Sequence, residues 1–361
     1  MPYSWSDDLE GMRFGIEAEF ALVHAERGFC DFTNLTYGEA QAIVDRLPDL
    51  GDADLTRGDL AVKVTRWYVE GDERFGPDGT FLDCVPKGLE TRTPVCAGID
   101  AAAAQLARQT AALAAAAAVD GFRLASIGRN PWHDYRPDPP YNAWELAMRA
   151  RHPEYAGAEA YMVGYGPDLS LSHPDWPAAR VLDVARKLTA LSPALVPFSF
   201  SSPFAGGRAV ALAARTLIRA PRRPAARAFV AEPGRAGAPA VRARIPAEAG
   251  RIEFKAFDAP PTPALYPPLL ALLAGLALEE TLPDRADRPD PEAHDRAARC
   301  GFDDPGIRAA AAAAVEAAEG GLAGRVEASL LAPLRDMLAR HRTPAHDLLD
   351  VYHRTGQIPL P

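Results

Sequence analysis

A pair of glutamates lies in an alternating apolar stretch near the start of the sequence. Across residues 13–23, apolar side chains occupy one parity, whereas Glu17 and Glu19 occupy the other. A period of two residues predicts a β-strand, so both carboxylates project from the same face of a sheet. Such carboxylates repel each other, but a divalent cation between them reverses the sign of the interaction, and Mg²⁺ prefers oxygen ligands. The pair therefore indicates a magnesium site, with a solvated sheet face as the alternative.

Two later segments repeat this pattern of an acid on the polar parity of a strand. Glu90 is followed two residues later by Arg92, and Glu253 is followed two residues later by Lys255. A metal-bound anionic substrate needs this mixture, because carboxylates hold the cation and a neighbouring positive charge stabilises phosphoryl oxygens. Three such segments favour one shared site over three unrelated solvated faces.

A basic segment lies in the second half of an otherwise acidic chain. Residues 208–251 contain ten arginines and two acids, although the whole chain has a net charge of −9. Arginine binds phosphate through two parallel hydrogen bonds, so this segment suits a nucleotide polyphosphate; a solvated loop is the alternative. Aromatic residues do not interleave with these arginines as they do in single-strand binders, and the overall charge also argues against a nucleic-acid partner.

The sequence lacks the usual signatures of several other classes. It contains no G-x-G-x-x-G, G-x-x-x-x-G-K-[ST], G-x-S-x-G or H-E-x-x-H pattern. No apolar run approaches the roughly 18–20 residues of a membrane span, and the first residues do not read as a secretion signal. We therefore expect a cytoplasmic protein with reduced thiols at its scattered cysteines, which are Cys30, Cys84, Cys96 and Cys300. Surface or loop positions are expected for His133, His152, His173 and His294.

The elements that must position these residues predict an α+β fold. Strands are predicted at 13–23, 60–70, 80–85, 89–95, 122–127, 162–172 and 251–258, and 221–246 reads as a loop in which a strand stays open. Helices are predicted at 36–47, 100–119, 142–151, 176–191, 208–219, 265–280, 291–299, 304–319, 321–341 and 344–355. Strands and helices do not alternate regularly, which disfavours a doubly wound parallel sheet. We expect a single domain over 1–361, in which 263–361 is a mainly helical C-terminal part.

Several motifs resemble, in order, those of the carboxylate–amine ligase branch of glutamate–cysteine ligases. Residues 14–20 resemble the opening G-x-E-x-E motif, and residues 89–95 resemble a later motif with an acid shortly before Thr-Pro. Further similarities lie at 188–192, 201–207, 251–258 and 297–303. The resemblance implies a glutamine-synthetase-like fold, in which a curved, mostly antiparallel sheet with flanking helices forms a trough. It also implies an ATP- and Mg²⁺-dependent ligase that activates an acid, glutamate or another amino acid, as an acyl phosphate and joins it to an amine.

The resemblance also implies roles for individual residues. Metal ligands are expected at Glu17, Glu19, Glu90, Glu253 and Asp168. Residues expected to act on the reacting groups are Lys255, Arg215 and Asp83, the last in the acid or amine pocket. The nucleotide is expected to contact Arg92, assigned from strand parity, together with Arg215, Lys255 and Ser170.

Two departures from the family pattern bear on the substrate. Asp168 and Ser170 stand where the family usually has a His-x-His pair, and Lys255 stands where arginine is usual. Asp168 retains a metal ligand, whereas Ser170 retains only hydrogen bonding, and lysine lacks the planar fork of arginine. These differences favour a divergent ligase with an amine other than cysteine. A non-catalytic relative and a guanidino-type phosphotransferase stay open, as does a homo-oligomer built through the helices after Pro263.

Overall fold

The strand that carries Glu17 and Glu19 lies in the middle of a mixed sheet. The computed structural model describes residues 9–50, 63, 65–151, 157–233 and 239–361. Within them the strands are β1 (Arg13–His24), β2 (Gly28–Cys30), β3 (Trp67–Phe75), β4 (Phe81–Arg92), β5 (Phe122–Ala125), β6 (Asp168–Ser172), β7 (Phe204–Ala205), β8 (Arg208–Ala209), β9 (Ala226–Val230), β10 (Ala240–Arg242) and β11 (Ile252–Phe254). Strand β1 pairs antiparallel with β4 and β6 along its first half and with β2 and β5 along its second half.

The main path through the sheet runs β10-β9-β11-β6-β1-β4-β3, and only the β9–β10 pair is parallel among the described pairs. Residues of β1 alternate between buried and half-buried from Arg13 to Phe20, as the sequence predicts. The apolar parity faces a layer of helices, and the polar parity forms the concave face of the curved sheet. The predicted α+β fold, with a curved, mostly antiparallel sheet and flanking helices, is confirmed.

Helices flank the sheet, and several of them share the hydrophobic cluster of its apolar face. The helices are α1 (Tyr37–Val44), α2 (Ile99–Ala118), α3 (Ala143–Arg151), α4 (Ala158–Tyr161), α5 (Ala178–Leu195), α6 (Ala214–Arg219), α7 (Tyr266–Leu278), α8 (Pro291–Cys300), α9 (Pro305–Gly321), α10 (Ala332–Arg340) and α11 (Pro344–Thr355). Helix α7 is almost entirely buried between α2, α5 and α9, so the C-terminal helices share one hydrophobic cluster with the sheet. The division into a single domain stays a prediction. No helix of the described ranges is both long enough and apolar enough to cross a membrane.

Several predicted boundaries are wrong for identifiable reasons. The segments 80–85 and 89–95 form one strand, β4, although Pro86 and Gly88 suggest a break. A Cβ atom at Gly88 would lie 2.1 Å from the carbonyl oxygen of Phe20, so this glycine permits close approach of β1 rather than a turn. Strand β3 is displaced toward the C-terminus from the predicted 60–70, whose residues 60–62 and 64 lie outside the described ranges.

Other differences concern segments rich in proline and arginine. The segment 221–246, predicted as a loop in which a strand stays open, contains β9 and β10, and only the last part of the predicted helix 208–219 is helical, as α6. The predicted strand 162–172 is reduced to β6, and the predicted strand 251–258 to β11. A 3₁₀ turn at Val326–Leu331 followed by α10 replaces the predicted helix 321–341. In these segments the apolar residues follow neither the helix period nor the strand period throughout. Contacts with the rest of the fold therefore determine where their helices and strands begin and end.

The sequence predicts His294 at the surface or in a loop, but in the structure this residue lies on α8 and is 2% exposed. His173 is also buried, His133 is exposed, and His152 lies outside the described residues. The Nδ1 atom of His294 lies 2.8 Å from the carbonyl oxygen of Asp290. Burial lowers the pKa of this imidazole from 6.5 to about 4.

We expect the low pKa of His294 to make stability depend on pH. The unfolded chain binds a proton near pH 6.5 and the folded chain only near 4, so folding stability falls as the pH drops through this window. The loss attributable to this residue amounts to about 3 kcal/mol at pH 4. Urea unfolding of wild type and His294→Gln at several pH values measures it. The difference between the two proteins should change with pH below 6.5, and a constant difference would contradict the assignment.

Candidate active site

The concave face of the sheet holds a cavity of about 400 Å³ lined by many charged residues. The sequence-predicted site residues found in its lining are Glu17, Glu19, Glu90, Arg92, Asp168, Arg215, Glu253 and Lys255. Ser170 lies in an adjoining cavity of about 100 Å³, which shares Glu17, Thr93, Val95 and Arg251 with the larger one. The fold thus brings together acids and bases from segments far apart in sequence.

Strand register explains this assembly. Glu19 lies opposite Glu90 across the β1–β4 pair, and Glu17 lies opposite Asp168 across the β1–β6 pair. On the other side of β6, Ser170 lies opposite Glu253 of β11. Directly opposed residues on one face come within about 5 Å of each other at Cβ. Neighbouring strands therefore place the predicted acids side by side.

Glu19, Glu70 and Glu90, which we call the Glu19 cluster, have carboxylate oxygens within 4.8 Å of one another. Glu90 is 5% exposed, and within the described residues no side chain or backbone group forms an ion pair or hydrogen bond with it. Burial, followed by the neighbouring carboxylates of Glu70 and Glu19, raises the pKa of Glu90 well above its usual value. Converging carboxylate oxygens, among them those of a buried glutamate without an ion pair in the described residues, suit a hard divalent cation such as Mg²⁺.

Glu19 is held in place by a buried lysine that the sequence analysis missed. The Nζ atom of Lys87 lies 2.8 Å from Glu19 Oε1, and it also donates to the carbonyl oxygens of Tyr161 at 2.9 Å and Gly164 at 2.8 Å. The backbone N–H of Gly166 donates to Glu19 Oε2 at 2.8 Å. Both oxygens of Glu19 are therefore oriented by the chain. In the sequence, Lys87 lies beside Gly88 between the predicted strands 80–85 and 89–95, so nothing marks it as a site residue.

Glu17, Asp168 and Glu253, which we call the Glu17 cluster, contact cations of the chain itself. Arg251 Nη1 lies 3.6 Å from Glu17 Oε1 and 3.3 Å from Glu253 Oε1. Lys255 Nζ forms an ion pair with Asp168 and lies 3.2 Å from Glu253 Oε2. Burial lowers the pKa of Lys255, and the surrounding carboxylates, Glu17 first, oppose that shift. The two clusters share the cavity but differ in how their charge is balanced.

The guanidinium of Arg215 donates hydrogen bonds to backbone carbonyl oxygens. Its Nη1 donates to the carbonyl oxygens of Phe257 at 2.7 Å and Ala256 at 3.2 Å, and its Nη2 donates to that of Lys255 at 3.4 Å. A Cβ atom at Gly166 would lie 2.1 Å from Arg215 Nη2, so glycine is required for this side chain to pass. Arg215 therefore fixes the segment that carries Lys255.

The other predicted residues have diverse surroundings. Arg92 donates from Nε to the carbonyl oxygen of Thr65 at 3.1 Å, and its guanidinium carbon lies 4.8 Å from the ring centroid of Tyr68. Ser170 is buried, and its Oγ has no hydrogen-bond partner among the described residues. Asp83 does not line the cavity: it is exposed on β4, and its Oδ1 accepts the N–H of Cys84 at 2.8 Å. Arg92 and Ser170 thus remain beside the acids, whereas Asp83 does not.

One end of the cavity is strongly positive. Four arginines line it there, and we call them the arginine wall: Arg219, Arg223, Arg227 and Arg244. Burial, followed by the nearby charge of Arg227, lowers the pKa of Arg223 to about 10. Such a concentration of positive charge beside a carboxylate cluster suits a metal-bound polyphosphate. Only part of the basic segment 208–251 contributes, since Arg242 is exposed and pairs with Glu232.

The curved sheet and its carboxylate-lined trough define the architecture of the glutamine-synthetase-like ligases. Residues 13–216, more than half of the chain, match the family described as glutamate-cysteine ligase family 2, and the chain belongs to that family. Family membership indicates a carboxylate–amine ligase. A search of curated proteins finds no match to this chain.

Solved structures show the same fold at low sequence identity. Glutamate–cysteine ligase from Francisella tularensis, in complex with AMP, superposes with a TM-score of 0.58 at 10% identity over 96% of this chain and 85% of that one. A bifunctional glutathione synthetase from Pasteurella multocida gives 0.56 at 11% identity over 95% and 50%, respectively. The ligase PafA, in its complex with the prokaryotic ubiquitin-like protein Pup, gives 0.53 at 12% identity over 96% and 67%.

Proposed function

We propose that this protein is an ATP- and Mg²⁺-dependent ligase that joins a carboxylic acid, glutamate or another amino acid, to an amine. The observation that carries the proposal is the Glu19 cluster, whose buried Glu90 has no cationic partner among the described residues, in one cavity with the arginine wall. Family membership and the AMP bound to the Francisella tularensis enzyme support it.

The residues present fit a magnesium ion. Glu19, Glu70 and Glu90 would hold it, since their oxygens already converge and Glu19 is oriented by Lys87 and Gly166. When bound, Mg²⁺ shields the charge of the phosphate groups during phosphoryl transfer. The arginine wall binds the remaining phosphate oxygens, and Lys255, beside the acids, stabilises charge that develops on the transferred group.

The reaction balances as two transfers. The carboxylate oxygen of the acid takes the γ-phosphoryl group of ATP and releases ADP, and the amine nitrogen then forms the amide bond and expels phosphate. The attacking amine must lose a proton, which a carboxylate of the trough accepts. Walls that exclude water protect the acyl phosphate from hydrolysis. The hydrogen bonds of Lys87 and Arg215 to backbone carbonyl oxygens keep the walls and the acids in place.

The proposal is tested by incubating the protein with ATP, Mg²⁺, a panel of acids that includes glutamate, and a panel of amines. ADP together with the mass of an amide is the expected result. ADP with a phosphorylated guanidine and no amide would identify a phosphotransferase instead. Absence of turnover with every pair would favour the non-catalytic relative.

The proposed partners are small-molecule acids and amines. A cytoplasmic location, the absence of a nucleic-acid partner and self-association of the chain stay predictions. Size-exclusion chromatography with light scattering measures the last of these directly.

A further inference from the structure

The two carboxylate clusters of the trough have different charge balances. In the Glu17 cluster, each of the three carboxylates forms an ion pair with Arg251 or Lys255, and Arg227 Nη1 lies 3.8 Å from Glu253 Oε2. Arg251 also lies 3.5 Å from Glu248 Oε1. In the Glu19 cluster, Lys87 forms an ion pair with Glu19, and Lys63 forms one with Glu70. Lys63 also lies 3.1 Å from Glu73. Among the described residues, Glu90 is the one carboxylate of the two clusters that forms no ion pair, and the nearby ammonium of Lys63 acts on it only from a greater distance.

Backbone register places Lys255 where a cation is needed. Phe254 pairs with Leu169 across the β11–β6 ladder, so the next residue on one strand, Lys255, comes beside Asp168 at the start of the other. Its backbone N–H donates to the carbonyl oxygen of Ala225 at 2.8 Å, and Arg215 holds its carbonyl oxygen. An ammonium group is a compact point charge with three donors, whereas a guanidinium is planar and wider. Lysine therefore fits between Asp168 and Glu253.

We propose that this chain has one divalent-cation site, the Glu19 cluster, and that Lys255 with Arg251 takes the place of a second cation at the Glu17 cluster. The identity of the cation site rests on the proposed function, but the exclusion of a second ion rests on the ion pairs of Glu17, Asp168 and Glu253. In the proposed reaction, the polyphosphate then meets one metal ion and fixed side-chain charges. Because these charges belong to Lys255 and Arg251, they are present without binding a second metal ion.

Counting bound Mn²⁺ by electron paramagnetic resonance, without nucleotide, acid or amine, tests the inference. We expect one ion per wild-type chain and none for Glu90→Gln, which removes a charged ligand of the Glu19 cluster. Glu17→Gln should still bind one ion, because Glu17 contacts Arg251 rather than a metal. Lys255→Met, which keeps the length of the side chain but removes its charge, should bind two.

Two ions on the wild-type chain, or loss of an ion in Glu17→Gln, would overturn the inference. A folded Lys255→Met chain that binds one ion would also overturn it. If Lys255→Met does not fold, the comparison of Glu17→Gln with Glu90→Gln still decides. The count does not depend on turnover, so one bound ion in a chain that forms no amide would reject the proposed reaction and leave this inference standing.

Discussion

Glu90→Gln is expected to abolish amide formation while leaving the fold at least as stable as wild type. A neutral amide cannot replace a charged oxygen ligand of Mg²⁺, so kcat/KM should fall at least about 100-fold, equivalent to about 3 kcal/mol of transition-state stabilisation. In the folded protein, Glu90 is buried beside Glu70 and Glu19, and removing its charge relieves their repulsion. Loss of activity combined with unchanged or increased stability distinguishes a functional carboxylate from a structural one.

Coupled ADP release, amide mass and urea unfolding measure these effects on the same preparations. Glu316→Gln is the matched control, because this glutamate is exposed on α9 and lies outside the cavity lining. It should retain wild-type activity and stability. Full activity of Glu90→Gln would reject the metal assignment, and a large loss of stability would mean that the carboxylate has a structural partner.

Lys87→Met is expected to destabilise the protein strongly. Lys87 is 1% exposed, and its ammonium group donates hydrogen bonds to Glu19 and to two backbone carbonyl oxygens. Methionine fills the same volume but leaves a carboxylate and two carbonyl groups without their donor. Breaking a buried ion pair by removing one partner costs about 3–5 kcal/mol. Urea or thermal unfolding at neutral pH measures the loss.

Arg46→Met provides the control for Lys87→Met. Arg46 also makes an ion pair, with Asp120 at 2.6 Å, but both side chains are about one-third exposed. Removal of such an exposed pair costs at most about 1 kcal/mol. Equal effects of the two substitutions would show that Lys87 is not structurally important.

Local regularities determined much of what the sequence could predict. The alternation in β1 predicts both the strand and the common face of Glu17 and Glu19, because the pleat itself sets a period of two. Helix α11 begins and ends at the predicted residues, Pro344 and Thr355, since a proline starts it and Gly356 follows its end. Thr36, at the start of the predicted helix 36–47, caps α1 with Glu39 in a reciprocal capping box. Helix α2 begins at Ile99, one residue before the predicted start, and its N-cap is Gly98.

The identity of the acids that share a cation depended on tertiary structure. Glu70 has no distinctive neighbour in sequence, and it joins Glu19 and Glu90 only because β3 pairs with the far side of β4. The sequence does not reveal the role of Lys87, because the neighbouring Gly88 suggests a turn between two strands. In the structure, Gly88 instead allows β1 to approach closely, so Lys87 lies within a continuous strand. Asp83 lies on the same strand as Glu90 yet is exposed and outside the cavity lining.

By itself, the sequence determined the residue types, the strand face of Glu17 and Glu19, and a family resemblance, since these depend on composition and short-range period. Only the tertiary structure separated the acids into one cluster paired with Arg251 and Lys255 and another in which Glu90 forms no ion pair within the part of the chain that the structure describes. The physical reason is that electrostatic balance depends on distances of a few ångströms between side chains from distant strands. Strand register and burial set those distances, and neither can be read from spacing along the chain.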